Sequence, residues 1–233
     1  MFLKTLILRH FRNYDQQHVE FTAPKTILVG NNAQGKSNLL EAVELLATLR
    51  SHRTSRDKDL VNNEESFAQV SASLRRETGV SELILTLRRN GRRTVNLNSE
   101  NLRRQMDFLG VLNAVEFSSL DLDLVRGGPE NRRSWLDTLL VQLEPIYAHI
   151  LQQYLHVLRQ RNAFLRSQKE NVYDKSLQSQ LALWDTQLVT TGTRVIRRRE
   201  RAIGRLAPIA KLWHSNISDS TEKLQIKYAP NKV

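Results

Sequence analysis

The chain has 233 residues, 40% of them hydrophobic, enough for one large domain or two lobes with a real core. Lys and Arg total 35 against 24 Asp and Glu, a net charge of +11 that favours polyanions: nucleic acid, an anionic membrane surface or an acidic protein. With no cysteine, the sequence excludes disulfides, thiolate zinc sites and thiol nucleophiles. Lys4, Arg9 and Arg12 interrupt the first residues, and no apolar run approaches the roughly 18 residues of a membrane span, so a signal peptide and a membrane helix are not expected. The expected location is the cytoplasm. The six histidines show no ligand spacing, so a metal site built on them is not expected either.

In chain order, Leu3 to Leu8 reads as a short apolar strand, and Val19 to Phe21 as a second. Lys25 to Val29 is a third, of the buried type found inside a covered sheet. Gly30 ends it abruptly. From Ser37 the period changes, and Leu39, Leu40, Val43, Leu46 and Leu49 fall on one helical face. Residues 68 to 98 return to alternation, through Ala68, Val70, Ala72 and Leu74 and then Leu83, Leu85 and Leu87. Asn90-Gly91 signals a type I′ hairpin before Val95 and Leu97. The reading is an antiparallel meander whose wet face carries part of Arg75, Arg76, Arg88, Arg89, Arg92 and Arg93. Ala114 to Phe117 is a further strand candidate.

Near residue 128 the character changes. Gly127-Gly128-Pro129 breaks the chain, and Pro129 can open a helix because its missing N–H is not needed there. Trp135, Leu136, Leu139, Leu140 and Leu143 form one stripe, which Glu144-Pro145 interrupts. Ile146, Ile150, Tyr154, Leu158, Arg161 and Leu165 form the next. Ser167 to Lys175 reads as a turn, and a third helix runs through Leu177, Leu181, Trp184, Leu188, Val195 and Ile203 to about residue 213. Two or three antiparallel helices are the simplest arrangement. Leu224 to Tyr228 begins another strand.

The most informative segment is Gly30-Asn31-Asn32-Ala33-Gln34-Gly35-Lys36-Ser37, a complete G-x-x-x-x-G-K-S. Gly30 and Gly35 let the backbone approach phosphates without a Cβ clash. Successive N–H groups form an anion nest, and the helix starting near Lys36 adds its positive end. Lys36 is the expected β/γ-phosphate ligand and Ser37 the expected Mg²⁺ ligand, with ATP the expected nucleotide. A hydrolytic acid at the end of a second apolar strand is not visible. Asp121 and Asp123 lie in an alternating Leu-Asp-Leu-Asp-Leu that lacks the buried run.

Four stretches resemble the RecF family, relatives of the SMC-type ABC ATPases. They are Leu8-Arg9-His10-Phe11-Arg12-Asn13-Tyr14; Gly30 to Ala42; Ser51-His52-Arg53-Thr54-Ser55-Arg56; and Phe117 to Asp137. Ser119 and Leu120 depart from the Pro-Glu common there. The resemblance covers essentially the whole chain. It implies an α/β P-loop NTPase fold: an ABC-type head with an antiparallel β-subdomain in residues 1–128, an α-helical second lobe in 129–222, and a strand beginning in 223–233. Family members run longer and carry their signature and second nucleotide motifs later, so the chain is expected to be an N-terminal portion that binds ATP without efficient turnover. For the full-length protein the resemblance implies ATP-dependent homodimerisation, a weak DNA-dependent ATPase, binding to single-stranded, gapped or junction DNA, and RecO- and RecR-type partners.

Arg12 and Asn13 are candidates for the nucleotide edge, and Arg53 and Arg56 for a nucleotide or DNA contact. The densest basic run holds Arg194, Arg197, Arg198, Arg199, Arg201 and Arg205, opposed only by Glu200. All but Arg199 share a helical face suited to sequence-independent phosphate contacts. Arg132-Arg133 is a second DNA candidate. No aromatic is interleaved, so base stacking is not indicated. Two other readings of the phosphate loop are a P-loop kinase or phosphotransferase, and a structural subunit with a regulatory ATP site.

Overall fold

The computed structural model describes residues 1–77, 79–167 and 175–230; of residues 175–177 only the backbone is described. The chain divides into two compact units, Met1–Arg126 and Gly127–Val233.

The first unit is built on one antiparallel sheet in the order β2-β1-β3-β4-β5-β6. β1 (Phe2–Phe11) turns tightly at Arg12-Asn13 into β2 (Tyr14–Glu20), with Phe11 opposite Tyr14. β3 (Phe67–Arg76) and β4 (Gly79–Arg88) follow the alternation in the sequence: Ala68, Val70, Leu74, Leu83, Leu85 and Leu87 all point into the core. β5 (Thr94–Leu97) and β6 (Glu100–Asn101) complete the meander. Arg89 to Arg93 form a five-residue connection, and of Asn90 and Gly91 only Gly91 has positive φ. A type I′ turn needs both. Left-handed residues instead stand in succession at Asn98 and Ser99, in the two-residue turn between β5 and β6.

One helix, α1 (Lys36–Thr48), packs on this sheet. Ala42, Leu45, Leu46 and Ala47 are buried, whereas Leu40 is 54% exposed. The apolar face is therefore centred nearer Leu45 than the sequence pattern places it. Of the six meander arginines, Arg75, Arg88 and Arg92 are exposed, as a wet face requires, and the other three are structural ties. Arg76 reaches the carbonyl of Val111, Arg89 those of Asn62 and Glu65, and Arg93 pairs with Asp57 and donates to the carbonyl of Leu49.

Three expected strands are not formed. Lys25–Val29, Ala114–Phe117 and Leu224–Tyr228 pair with no strand among the described residues. Ile27 and Val29 are 85% and 88% exposed, and Val115 and Phe117 94% and 91%. An apolar run of the covered-sheet type becomes a strand only when a neighbouring strand satisfies its N–H and C=O groups, and among the described residues no strand lies alongside these.

After the short α2 (Asp123–Arg126), the second unit is helical: α3 (Pro129–Leu143), α4 (Ile146–Ser167) and α5 (Lys175–Ile217). Pro129 stands in the first turn of α3, and Pro145 separates α3 from α4. α5 continues through Pro208, beyond the expected end. The core of this unit joins Leu136 and Leu140 of α3, Tyr147, Ile150 and Leu151 of α4 and Val195 of α5. The expected turn at Ser167 to Lys175 lies almost wholly outside the described residues. Among the described residues no helix is long and apolar enough to cross a membrane.

Candidate phosphate-binding site

The helix half of the phosphate-loop context is present, but among the described residues the strand half is not: Gly30 follows a mostly exposed segment that pairs with no strand. The loop itself is shaped for an anion. Gly35 is the N-cap of α1 at φ 97° and makes no side-chain cap, and no acid lies in the first turn. The positive end of the helix is therefore not neutralised from within. Ala33 is also left-handed, at φ 65°. The Lys36 ammonium donates to the carbonyls of Gly30 and Asn31, both at 2.7 Å, which closes the loop on itself. These exposed carbonyl contacts can exchange for phosphate oxygens.

The tight turn after β1 buttresses the loop. A Cβ on Gly35 would lie 2.7 Å from the Tyr14 ring and hydroxyl and 2.8 Å from Asn13 Oδ1. Gly35→Ala therefore meets a steric block and a left-handed backbone together. It is expected to weaken nucleotide binding at least about tenfold and to cost about 1–3 kcal/mol of stability. Calorimetric titration alongside chemical denaturation measures both effects; wild-type values for both would mean that the loop does not rest on Tyr14.

Glu41, on α1, is fully buried and was not distinguished in the sequence. Its carboxylate accepts from Arg12 Nε at 2.9 Å and Arg12 Nη2 at 2.6 Å, from Ser51 Oγ at 2.5 Å and from Arg53 Nη1 at 3.2 Å. Burial alone would raise its pKa; the hydrogen bonds from Arg12 and Ser51 and the charges of Arg12 and Arg53 outweigh burial and hold it below the usual carboxylate value. Its contribution to stability is thus complete above the ordinary glutamate pKa and is lost as pH falls through the depressed one. The available signal was a lone acid one turn before Leu45 on the buried stripe of an amphipathic helix.

The structure brings several candidates together around this carboxylate. Arg12 also donates to the carbonyl of Asp59, so its guanidinium is largely committed inside the protein. Asn13 Oδ1 accepts from Asn38 Nδ2 at 2.7 Å, and Asn38 Oδ1 accepts from Arg53 at 2.6 Å. Arg56 turns elsewhere, to Asp59, and its side chain is 67% exposed. Asp121 closes a capping box with Ser118. His52, which showed no ligand spacing in the sequence, lies 2.7 Å from Glu44 and 3.6 Å from Glu116. Burial and the charge of Glu116 raise the Glu44 pKa against the opposing effect of His52.

In the helical unit the basic run separates by direction. Arg199 pairs with Asp137, and Arg198 lies 3.4 Å from Glu144. Arg194, Arg197, Arg201 and Arg205 are exposed at spacings of three and four. Arg132 donates to the carbonyl of Gly127, and Arg133 is exposed.

Residues 5–227 match the AAA domain family. A DNA replication and repair protein RecF from Nostoc punctiforme is 76% identical over 99% of this chain and 62% of its own length. A structure described as the recombination mediator protein RecF with ATP in the RecFOR pathway is 31% identical, with a TM-score of 0.86, over 93% of this chain and 58% of that one. A structure of SMC ATPases, 21% identical with a TM-score of 0.50 over 60% of this chain and 99% of that one, supports the fold alone. The fold class is the α/β P-loop NTPase of ABC-head type with an antiparallel β-subdomain. The chain spans about three-fifths of the length of the Nostoc relative.

Proposed function

The chain belongs to the AAA domain family and, within it, to the RecF group, and we propose that it is the ATP-binding part of a DNA replication and repair protein. The observation that carries this is the loop Gly30–Ser37, with an uncapped helix end, Gly35 wedged against Tyr14 and Asn13, and Lys36 closing the mouth. The amides from Asn31 to Gln34 and the ammonium of Lys36 hold the phosphates. Ser37, exposed in the first turn of α1, is the proposed Mg²⁺ ligand. Asn13 and Arg53 flank the nucleotide, while Arg12 supports them from behind. The metal would neutralise phosphate charge; the protein's own groups position it.

DNA is the proposed polyanionic partner, single-stranded, gapped or at a junction. Its contact surface is the exposed stripe Arg194, Arg197, Arg201 and Arg205, with Arg133 as an auxiliary. In the whole protein, ATP-dependent homodimerisation, weak DNA-dependent ATPase activity, RecO- and RecR-type partners and a cytoplasmic location belong to the same proposal. Replacing the four stripe arginines with alanine should flatten the plot of log binding constant against log salt. The slope should fall by roughly 2 to 3 units on single strands, at about 0.7 for each phosphate no longer neutralised. An unchanged slope would remove α5 from the DNA surface. Saturable ATP binding that depends on Lys36 tests the nucleotide half.

A further inference from the structure

We infer that Glu41 is a positioning residue that sets Arg53 against the phosphate-binding loop. This rests on the ATP-binding reading above. One buried carboxylate holds two guanidiniums there. The cluster therefore carries one surplus positive charge, and Arg53 makes its other side-chain contact with a neutral amide oxygen, that of Asn38 in the first turn of α1. Lys36 adds a second cation in the same turn. Surplus charge beside an uncapped helix end is completed by an anion, and a triphosphate supplies one.

The two arginines are held unequally. Arg12 grips Glu41 through two nitrogens and is only 18% exposed in its side chain. Arg53 makes a single longer contact with Glu41 and is 43% exposed. Arg53 is thus the one that can move its charge to a phosphate, while Glu41 keeps it within reach. Glu41 also anchors the backbone that carries Arg53. The Ser51 hydroxyl donates to Glu41 and accepts from the backbone N–H of Arg53 at 3.0 Å. Arg56, tied to Asp59 and outside this cluster, has no such guide.

The test is a double-mutant cycle on the whole chain, read by ATP affinity, with thermal unfolding recorded without nucleotide. Arg53→Ala should weaken ATP binding about tenfold, the size expected for one charge-assisted contact. Glu41→Gln should weaken it about three- to tenfold alone and less than about twofold in the Arg53→Ala background. Because Glu41→Gln leaves Arg12 without its counter-charge and can fail to fold, Ser51→Ala is the second variant. It is expected to weaken binding about threefold alone and not at all when Arg53 is absent. Equal effects in both backgrounds, or an Arg53→Ala chain with wild-type affinity, would overturn the positioning role. Absence of any Lys36-dependent ATP binding in the wild-type chain would instead overturn the ATP reading on which it stands.

Discussion

Lys36→Ala is expected to reduce ATP affinity by about 100- to 1000-fold. The ammonium donates to two loop carbonyls at 2.7 Å, and its proposed exchange is for oxygens of two phosphates. Each charge-assisted hydrogen bond contributes about 1.5–3 kcal/mol, and every 1.4 kcal/mol is about tenfold in affinity. The folded state should hardly notice the change, because the two carbonyl contacts are solvent-exposed. Unfolding without nucleotide should therefore stay within about 1 kcal/mol of wild type. Lys36→Arg should recover only part of the affinity, since a planar guanidinium does not fit where a compact ammonium sits between phosphates. An alanine variant within about threefold of wild type would separate ATP binding from this loop.

The largest effect on stability is expected in the helical unit, at Asp137. Its carboxylate accepts from Arg199 Nε at 2.8 Å and Nη2 at 2.7 Å, and from the Tyr147 hydroxyl at 2.5 Å. The three residues come from α3, α4 and α5, so one carboxylate ties all three helices together. Tyr147 is fully buried, and the side chains of Asp137 and Arg199 are each 12% exposed. Burial and the neighbouring Asp137 raise the tyrosine's pKa, so it remains a neutral donor. Arg199→Met leaves the carboxylate nearly buried and without its cation. Breaking such a pair on one side costs about 3–5 kcal/mol. Tyr147→Phe removes one hydrogen bond to a charged group and should cost about 1.5–3 kcal/mol. Asp137→Leu combined with Arg199→Met should cost less than Arg199→Met alone, because no uncompensated charge remains. Urea unfolding midpoints rank the three variants. A double variant as unstable as the single would mean that side-chain packing, not charge, controls this core.

The phosphate loop was legible because its chemistry is local. Two glycines, a lysine and a serine within eight residues specify backbone shape and charge without reference to the rest of the chain. The β3–β4 pair was legible for a similar reason, since period-two burial is written in consecutive residues. Lys25 to Val29 failed the same test. Its composition suits a covered strand, but strand formation depends on neighbours that no local pattern supplies. The hairpin signal at Asn90-Gly91 was overridden because Arg89 and Arg93 on either side are held by Asn62, Glu65, Leu49 and Asp57. Those ties set the loop's length and path more firmly than the dipeptide does.

The candidate site divides along the same line. Glu41 is joined to Arg12, which lies 29 positions away in the sequence. Arg199 is joined to Asp137, 62 positions away. Spacing within a helix could group Arg194, Arg197, Arg198, Arg201 and Arg205, but it could not say that Arg198 turns towards Glu144. The basic face is therefore narrower than the helical spacing implies and is confined to four exposed arginines.

The most direct test of ATP binding at Gly30–Ser37 is a fluorescence titration of the chain with a labelled ATP analogue in Mg²⁺, competed with unlabelled ATP and repeated with Lys36→Ala. Saturable, ATP-competable binding is expected, and the alanine variant should weaken it by about 100-fold or more while its circular dichroism stays unchanged. A folded wild-type chain with no saturable binding, or an alanine variant that binds as well, would contradict the assignment.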